Sequence, residues 1–199
     1  FYGNSKIDSI VKHLFSFEKF NNKIYSHREI AGNDENIFDS IGYEIPSGTI
    51  LRSPFQNYHT DKDNIKSTSK KSIEEVIEFV SNIIHIIEND KAVKSNFDGV
   101  PALSNPDLNL YLGPENVSNI KNTSDNKTFT AEDIDNKYNQ YLKENPNLLY
   151  HFMNNSLRMC NGSNTILDIC IKSKIPFFFG EKYFNSMYEK GLISLIDNE

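Results

Sequence analysis

Three short clusters carry the side chains that could do chemistry. In Ile24-Tyr25-Ser26-His27-Arg28-Glu29 an imidazole and a guanidinium stand side by side. Ser67-Thr68-Ser69 brings three hydroxyls directly onto the run Lys70-Lys71-Ser72-Ile73-Glu74-Glu75. Further on, Asp107 follows Pro106, and Glu115 follows Gly113-Pro114. A cation, a hydroxyl turn and a carboxylate are the groups that hold an anionic, hydroxyl-bearing ligand and stabilise a developing positive charge. Each piece also has a plain structural use. Ser-Thr-Ser ahead of an amphipathic run serves as a turn and helix cap, Arg28 beside Glu29 as a surface pair, and Asp107 after proline as a turn residue.

The remaining candidates are weaker. His59, in Asn57-Tyr58-His59-Thr60-Asp61, reads as a residue of a solvated loop. His13, His85 and His151 fall in helical patterns without the spacing of metal ligands, and Cys160 and Cys170 lack any CxxC or Cys/His arrangement, so no metal is expected. Sequons at Asn116, Asn122, Asn126, Asn154 and Asn161 are explained by the abundance of Asn and Ser.

The elements that must position these groups follow from periodicity. Ile7, Ile10, Val11, Leu14 and Phe15 recur at helical intervals over residues 5–20, and Lys23 to Arg28 reads as a short strand. Residues 29–66 are rich in turns. Ser72 and Glu75 suggest a capping box for a helix whose stripe is Ile73, Val76, Ile77, Val80, Ile83, Ile84 and Ile87. The segments 96–103 and 108–112 look extended, and 118–127 is polar. Helices are then expected from Thr130 to Asn145, over Leu148–Met159, Ile166–Lys172 and Lys182–Lys190. Gly162-Ser163-Asn164-Thr165-Ile166-Leu167-Asp168, followed by Met187 to Gly191, resembles one ankyrin repeat. A lone repeat cannot bury its apolar face, so that resemblance implies further repeats beyond Glu199.

Composition bounds the class of function. With 199 residues and 38% hydrophobic content the chain can build an ordinary core. A net charge of −6 and a pI near 5.4 argue against nucleic acid as a partner. The longest apolar run, Ile175 to Phe179, is far too short to span a bilayer. Phe1 in place of Met reads as the edge of a processed or trimmed chain.

In its order of basic strand, Ser-Thr-Ser and acidic turn, the sequence resembles mono-ADP-ribosyltransferases of the cholera and pertussis toxin type. The resemblance implies an α+β fold: an ADP-ribosyltransferase-like split sheet with flanking helices, followed by an all-helical ankyrin-like module. Its parts would be an N-terminal amphipathic helix over 1–22, the transferase-like domain over 23–127 and the ankyrin-like module over 128–199. It further implies NAD as cofactor, held by Arg28 with His27 beside it and by Ser67, Thr68 and Ser69. Catalysis would fall to Asp107, with Arg28, and with Glu115 as a poorer substitute for the carboxylate. Ser26 occupies the slot where those toxins carry their Arg, and no Glu-x-Glu or Gln-x-Glu lies in the expected window. The whole would be a secreted bacterial effector that moves ADP-ribose onto a host protein, arginine being the expected acceptor. Ankyrin-like helices behind such a core also resemble type III effectors of the OspC type, which implies calmodulin as a partner for the N-terminal helix. A non-enzymatic interaction module of an effector is the alternative.

Overall fold

Two compact units make up the chain, Phe1–His85 and Ile86–Glu199. The computed structural model describes residues 3–17, 23–30, 32–53, 56–113 and 136–197 of it. The boundaries expected after residues 22 and 127, and Glu115, lie outside the described residues.

The first unit is built on helices and turns. Helix α1 (Lys6–Phe15) starts at a capping box in which the Ser5 hydroxyl accepts from the Asp8 N–H and the Asp8 carboxylate accepts from the Ser5 N–H. It buries Ile10, His13 and Leu14. A single helical turn, α2 (Glu35–Phe38), follows. The long helix α3 (Lys70–Asn89), which runs past the end of this unit, begins three residues earlier than its capping-box pattern suggests, because Ser69, not Ser72, is the cap and accepts from the Ser72 N–H. Phe79 of α3 stacks on Phe15 of α1, with ring centroids 4.9 Å apart. Among the described residues of this unit there is no strand. The segment expected as a basic strand instead ends in a turn, closed by the Glu29 N–H donating to the Ser26 carbonyl and the Ser26 N–H donating to the Glu29 carboxylate.

The second unit wraps helices around a three-stranded antiparallel sheet. Strand β1 (Ala92–Ser95) lies in the middle, between β2 (Asn161–Thr165) and β3 (Ile193–Ile196). Ala92 faces Thr165 on one side and Ile196 on the other. Helices α4 (Asn136–Glu144) and α5 (Pro146–Met159) precede β2, while α6 (Ile166–Ser173) and α7 (Phe177–Glu189) follow it. Phe152 of α5 meets Phe179, Tyr183 and Phe184 of α7 edge to face at 5.8, 5.4 and 5.9 Å, all of them fully buried. The Tyr183 hydroxyl donates to the Leu110 carbonyl at 3.0 Å, so this buried polar atom is partnered.

Two details fix α6 against its neighbours. Thr165 ends β2 and caps α6 through a capping box with Asp168, and the buried Asp90 carboxylate accepts from the Leu167 N–H at 2.8 Å. Lys174 takes a left-handed conformation, φ +56°, to close the helix, and α7 starts after Pro176. Strands at 161–165 and 193–196, both paired to β1, flank α6 and α7 and remove the all-helical ankyrin-like module: these two helices belong to a sheet-based unit. The split sheet of a transferase is likewise absent among the described residues, since the strands present all belong to the second unit.

Candidate functional site

The turn at 26–29 and helix α2 bring an imidazole to two carboxylates. Glu35 is buried, 8% exposed, and both its oxygens are occupied: the Asn33 N–H donates to Oε1 at 2.7 Å and the Thr49 hydroxyl to Oε2 at 2.8 Å. These donors, the Asn33 N–H first and the Thr49 hydroxyl second, hold its carboxyl below the ordinary carboxylate range, with a further contribution from the nearby His27. Asp39 lies four residues on, one helical turn along, and its Oδ2 stands 3.6 Å from His27 Nε2. Both side chains of that pair are largely covered, 11% and 16% exposed. An imidazole within 3.6 Å of an aspartate, near a second carboxylate whose hydrogen bonds favour its charged form, is a group that can accept a proton and return it. Next to it Arg28 adopts φ +65°, a left-handed backbone that costs a residue with a side chain about 1–3 kcal/mol and collects at functional sites.

A second strained residue lies in the loop beyond. His59 has φ +62° and is exposed, its ring stacked on Tyr58 at 3.9 Å. Consecutive turns hold it: the Thr60 N–H and hydroxyl both donate to the Asn57 carbonyl, and the Asp63 N–H donates to the Thr60 carbonyl. The loop thus presents an imidazole followed by two exposed carboxylates, Asp61 and Asp63.

The residues singled out in the sequence fall as follows. His27 and Arg28 share the turn just described. Ser67 closes a 3-10 turn, its hydroxyl donating to the Asn64 carbonyl at 2.6 Å; Thr68 is extended; Ser69 caps α3. No hydrogen bond or ion pair joins Arg28 to these three residues among the described ones. Asp107 sits in an exposed turn of the second unit, where its N–H donates to Asn105 Oδ1 and its carbonyl accepts from Lys190 Nζ at 2.8 Å. Asp39 was not legible as the partner of His27, nor Thr49 as the partner of the neighbouring Glu35. Only the four-residue spacing of Glu35 and Asp39 hinted at it, because the contact with the imidazole crosses a turn. Among the described residues no group of three or more His, Cys, Asp or Glu is placed to hold a metal ion. The two thiols are buried, which pushes Cys160 up to about 12 and Cys170 well above its usual value, so neither is a nucleophile at neutral pH.

Residues 1–90 match the model of a family described as a domain of unknown function, DUF4910. A Clostridium acetobutylicum protein bearing the name of a polysaccharide biosynthesis protein with an aminopeptidase-like domain is 24% identical over 202 residues, covering 98% of this chain and 39% of that protein. A crystal structure bearing the name of a peptidase from the same species aligns with a TM-score of 0.64 at 20% identity, over 98% of this chain and 37% of that one. The chain thus spans about two fifths of the length of these relatives. Its fold is that of the peptidase-named structure, which overturns the ADP-ribosyltransferase and ankyrin resemblance. With it go the ADP-ribosylating toxin or effector and its interaction-module alternative, since the similar proteins are peptidase-like. NAD and a host protein substrate rested on that resemblance alone, as did calmodulin apart from the amphipathic pattern of α1. No observation on the described residues bears on them.

Proposed function

We propose that this chain is part of a longer amide- or peptide-bond hydrolase, in which His27, held by Asp39 and flanked by Glu35, moves the proton. The observation that carries the reading is the 3.6 Å approach of His27 Nε2 to Asp39 inside the stretch matched by the family model. The relative's aminopeptidase-like name supplies the reaction class. In such a reaction water adds to the amide carbon, the imidazole takes its proton, and the carbon–nitrogen bond breaks as that proton passes to the leaving amine. Aminopeptidases are among the hydrolases that use paired metal ions. The described residues of this chain do not assemble a ligand set for one, and no step here is routed through a metal.

The test uses the protein at the full length its gene encodes and a panel of aminoacyl p-nitroanilides. His27→Asn should lower kcat/KM by roughly a hundredfold or more, as loss of a general base does, with the circular dichroism unchanged. Asp39→Asn should cost less, because it removes the orienting partner alone. Wild-type turnover in His27→Asn, or no amine released by the wild-type protein from any substrate, overturns the reading. His59 favours a second reading on its strained backbone. Loss of turnover in His59→Asn with a silent His27→Asn moves the chemistry to the loop at 57–63.

A further inference from the structure

Asn161, at the head of β2, is followed by glycine, and no other asparagine of the chain is. In that pair the side-chain amide meets the least hindrance from its own backbone, because the next residue carries no Cβ to block the approach. Here the amide is also held in place. Its Oδ1 accepts from the Ser163 N–H at 2.9 Å, from the Asn164 N–H at 3.2 Å and from Asn164 Nδ2 at 3.0 Å. The bond to Ser163 closes a turn over the intervening peptide, which folds the amide carbon of Asn161 toward the Gly162 nitrogen. Asn164 Nδ2 is itself fixed by donating to the Met159 carbonyl at 2.9 Å. Asn161 is exposed, so water reaches the group. Gly162 takes φ +85°, and the Lys94 side chain of β1 lies 3.6 Å from where a Cβ would stand.

We propose that Asn161-Gly162 is a self-modification site at which the chain deamidates. The Gly162 nitrogen bonds to Asn161 Cγ, the Cγ–Nδ2 bond breaks, and Nδ2 leaves as ammonia with the proton that the Gly162 N–H gives up. The succinimide ring that remains takes up one water. Opening at Cγ yields aspartate; opening at the backbone carbonyl yields isoaspartate, in which the chain runs through the side chain. During the addition the electrons of the Cγ–Oδ1 double bond move onto Oδ1, where three N–H donors already converge. That arrangement stabilises an oxyanion. Restraint slows such a reaction when it holds the groups apart, but the ring closed by Ser163 holds them together, as in an intramolecular reaction already in position. The two products differ for the sheet. Aspartate keeps the backbone and adds a negative charge beside Lys94, the β1 partner of residue 161. Isoaspartate lengthens β2 by one methylene at that pairing, and the register with β1 is lost there. The site lies in the second unit and owes nothing to the role of His27.

The test compares folded with unfolded protein. The full-length gene product is incubated at neutral pH in buffer and, in parallel, in urea, then digested in acid. The peptide that holds residue 161 is separated by chromatography into asparaginyl, aspartyl and isoaspartyl forms and identified by mass spectrometry. Folded, Asn161 should convert faster than unfolded, by about tenfold or more. Asn164→Ala, with its circular dichroism unchanged, should slow the folded protein by about tenfold and leave the rate in urea as it is. A folded rate equal to or below the unfolded one overturns the inference, because the three bonds then lock the amide and do not activate it. Equal folded rates in wild type and Asn164→Ala overturn it as well. If Asn164→Ala does not fold, the wild-type ratio of folded to unfolded rates decides alone.

Discussion

His13 lies on the buried face of α1, 5% exposed, with its ring edge-on to Phe17 at 5.0 Å and no hydrogen-bond partner for Nε2 among the described residues. Burial pushes its pKa down to about 4 from an ordinary 6.5. The folded value lies below the unfolded one, so the stability that a neutral His13 contributes is whole above pH 6.5 and drains away as the pH falls toward 4. The size is on the order of 2 kcal/mol by pH 4.5. His13→Leu should remove that dependence: in urea titrations the variant should gain about 2 kcal/mol on the wild type between pH 7.5 and 4.5. A parallel loss in both proteins assigns the acid sensitivity elsewhere, Glu35 included, whose depressed pKa makes it lose stability in the same direction at lower pH. His27, by contrast, draws its interest from partners the sequence does not place next to it. Its neighbour Arg28 was visible as a cation, but Asp39 reaches the imidazole only because α2 turns back, and no periodicity encodes that.

At the scale of the element, the contact of α6 with α7 depends on the absence of one methyl group. A Cβ on Gly180 would lie 2.2 Å from Cys170 Sγ, inside any permitted contact, and both residues are fully buried. Gly180→Ala should therefore destabilise the second unit by about 1–3 kcal/mol or more. Cys170→Ala should relieve much of that loss, so the two changes should be strongly non-additive in a double-mutant cycle read by thermal unfolding. Independent effects would place the strain elsewhere. Helices of this kind were legible: Ile10 and Leu14 announce α1, Ile73 to Ile87 announce α3, and Thr165 with Asp168 marks the start of α6 as a capping pair. The start of α7 was missed by five residues because Phe177 to Phe179 read as an apolar run, though Pro176 ahead of them is an ordinary helix opening. The strands were missed for a different reason. Each is four or five residues long, and Asn161-Gly162-Ser163-Asn164 has the composition of a turn, so only the ladder to β1 makes it a strand. The same polar run invited the ankyrin comparison.

Taken as a molecule, the chain divides its apolar residues unevenly. The second unit closes on Phe152, Ile169, Phe179, Tyr183 and Phe184, none of them accessible, whereas the first exposes Ile37, Ile41, Tyr43 and Ile65 more than half. Hydrogen exchange of the 199-residue chain should accordingly be slowest in α6 and α7, with amides of α1 opening about tenfold faster or more. Slower exchange in α1 than in α7 contradicts the assignment of the firmer core to the second unit. The middle position of β1 has a further consequence, for synthesis. Ala92 leaves the ribosome with neither neighbour made, and its partner Ile196 follows only after about 5–20 s at cellular translation rates. For that interval the growing chain carries a strand with bare N–H and C=O groups, the form most apt to pair with another molecule. A message broken before the codon for Ile193 makes that interval permanent, and the centre of the sheet becomes its sticky margin.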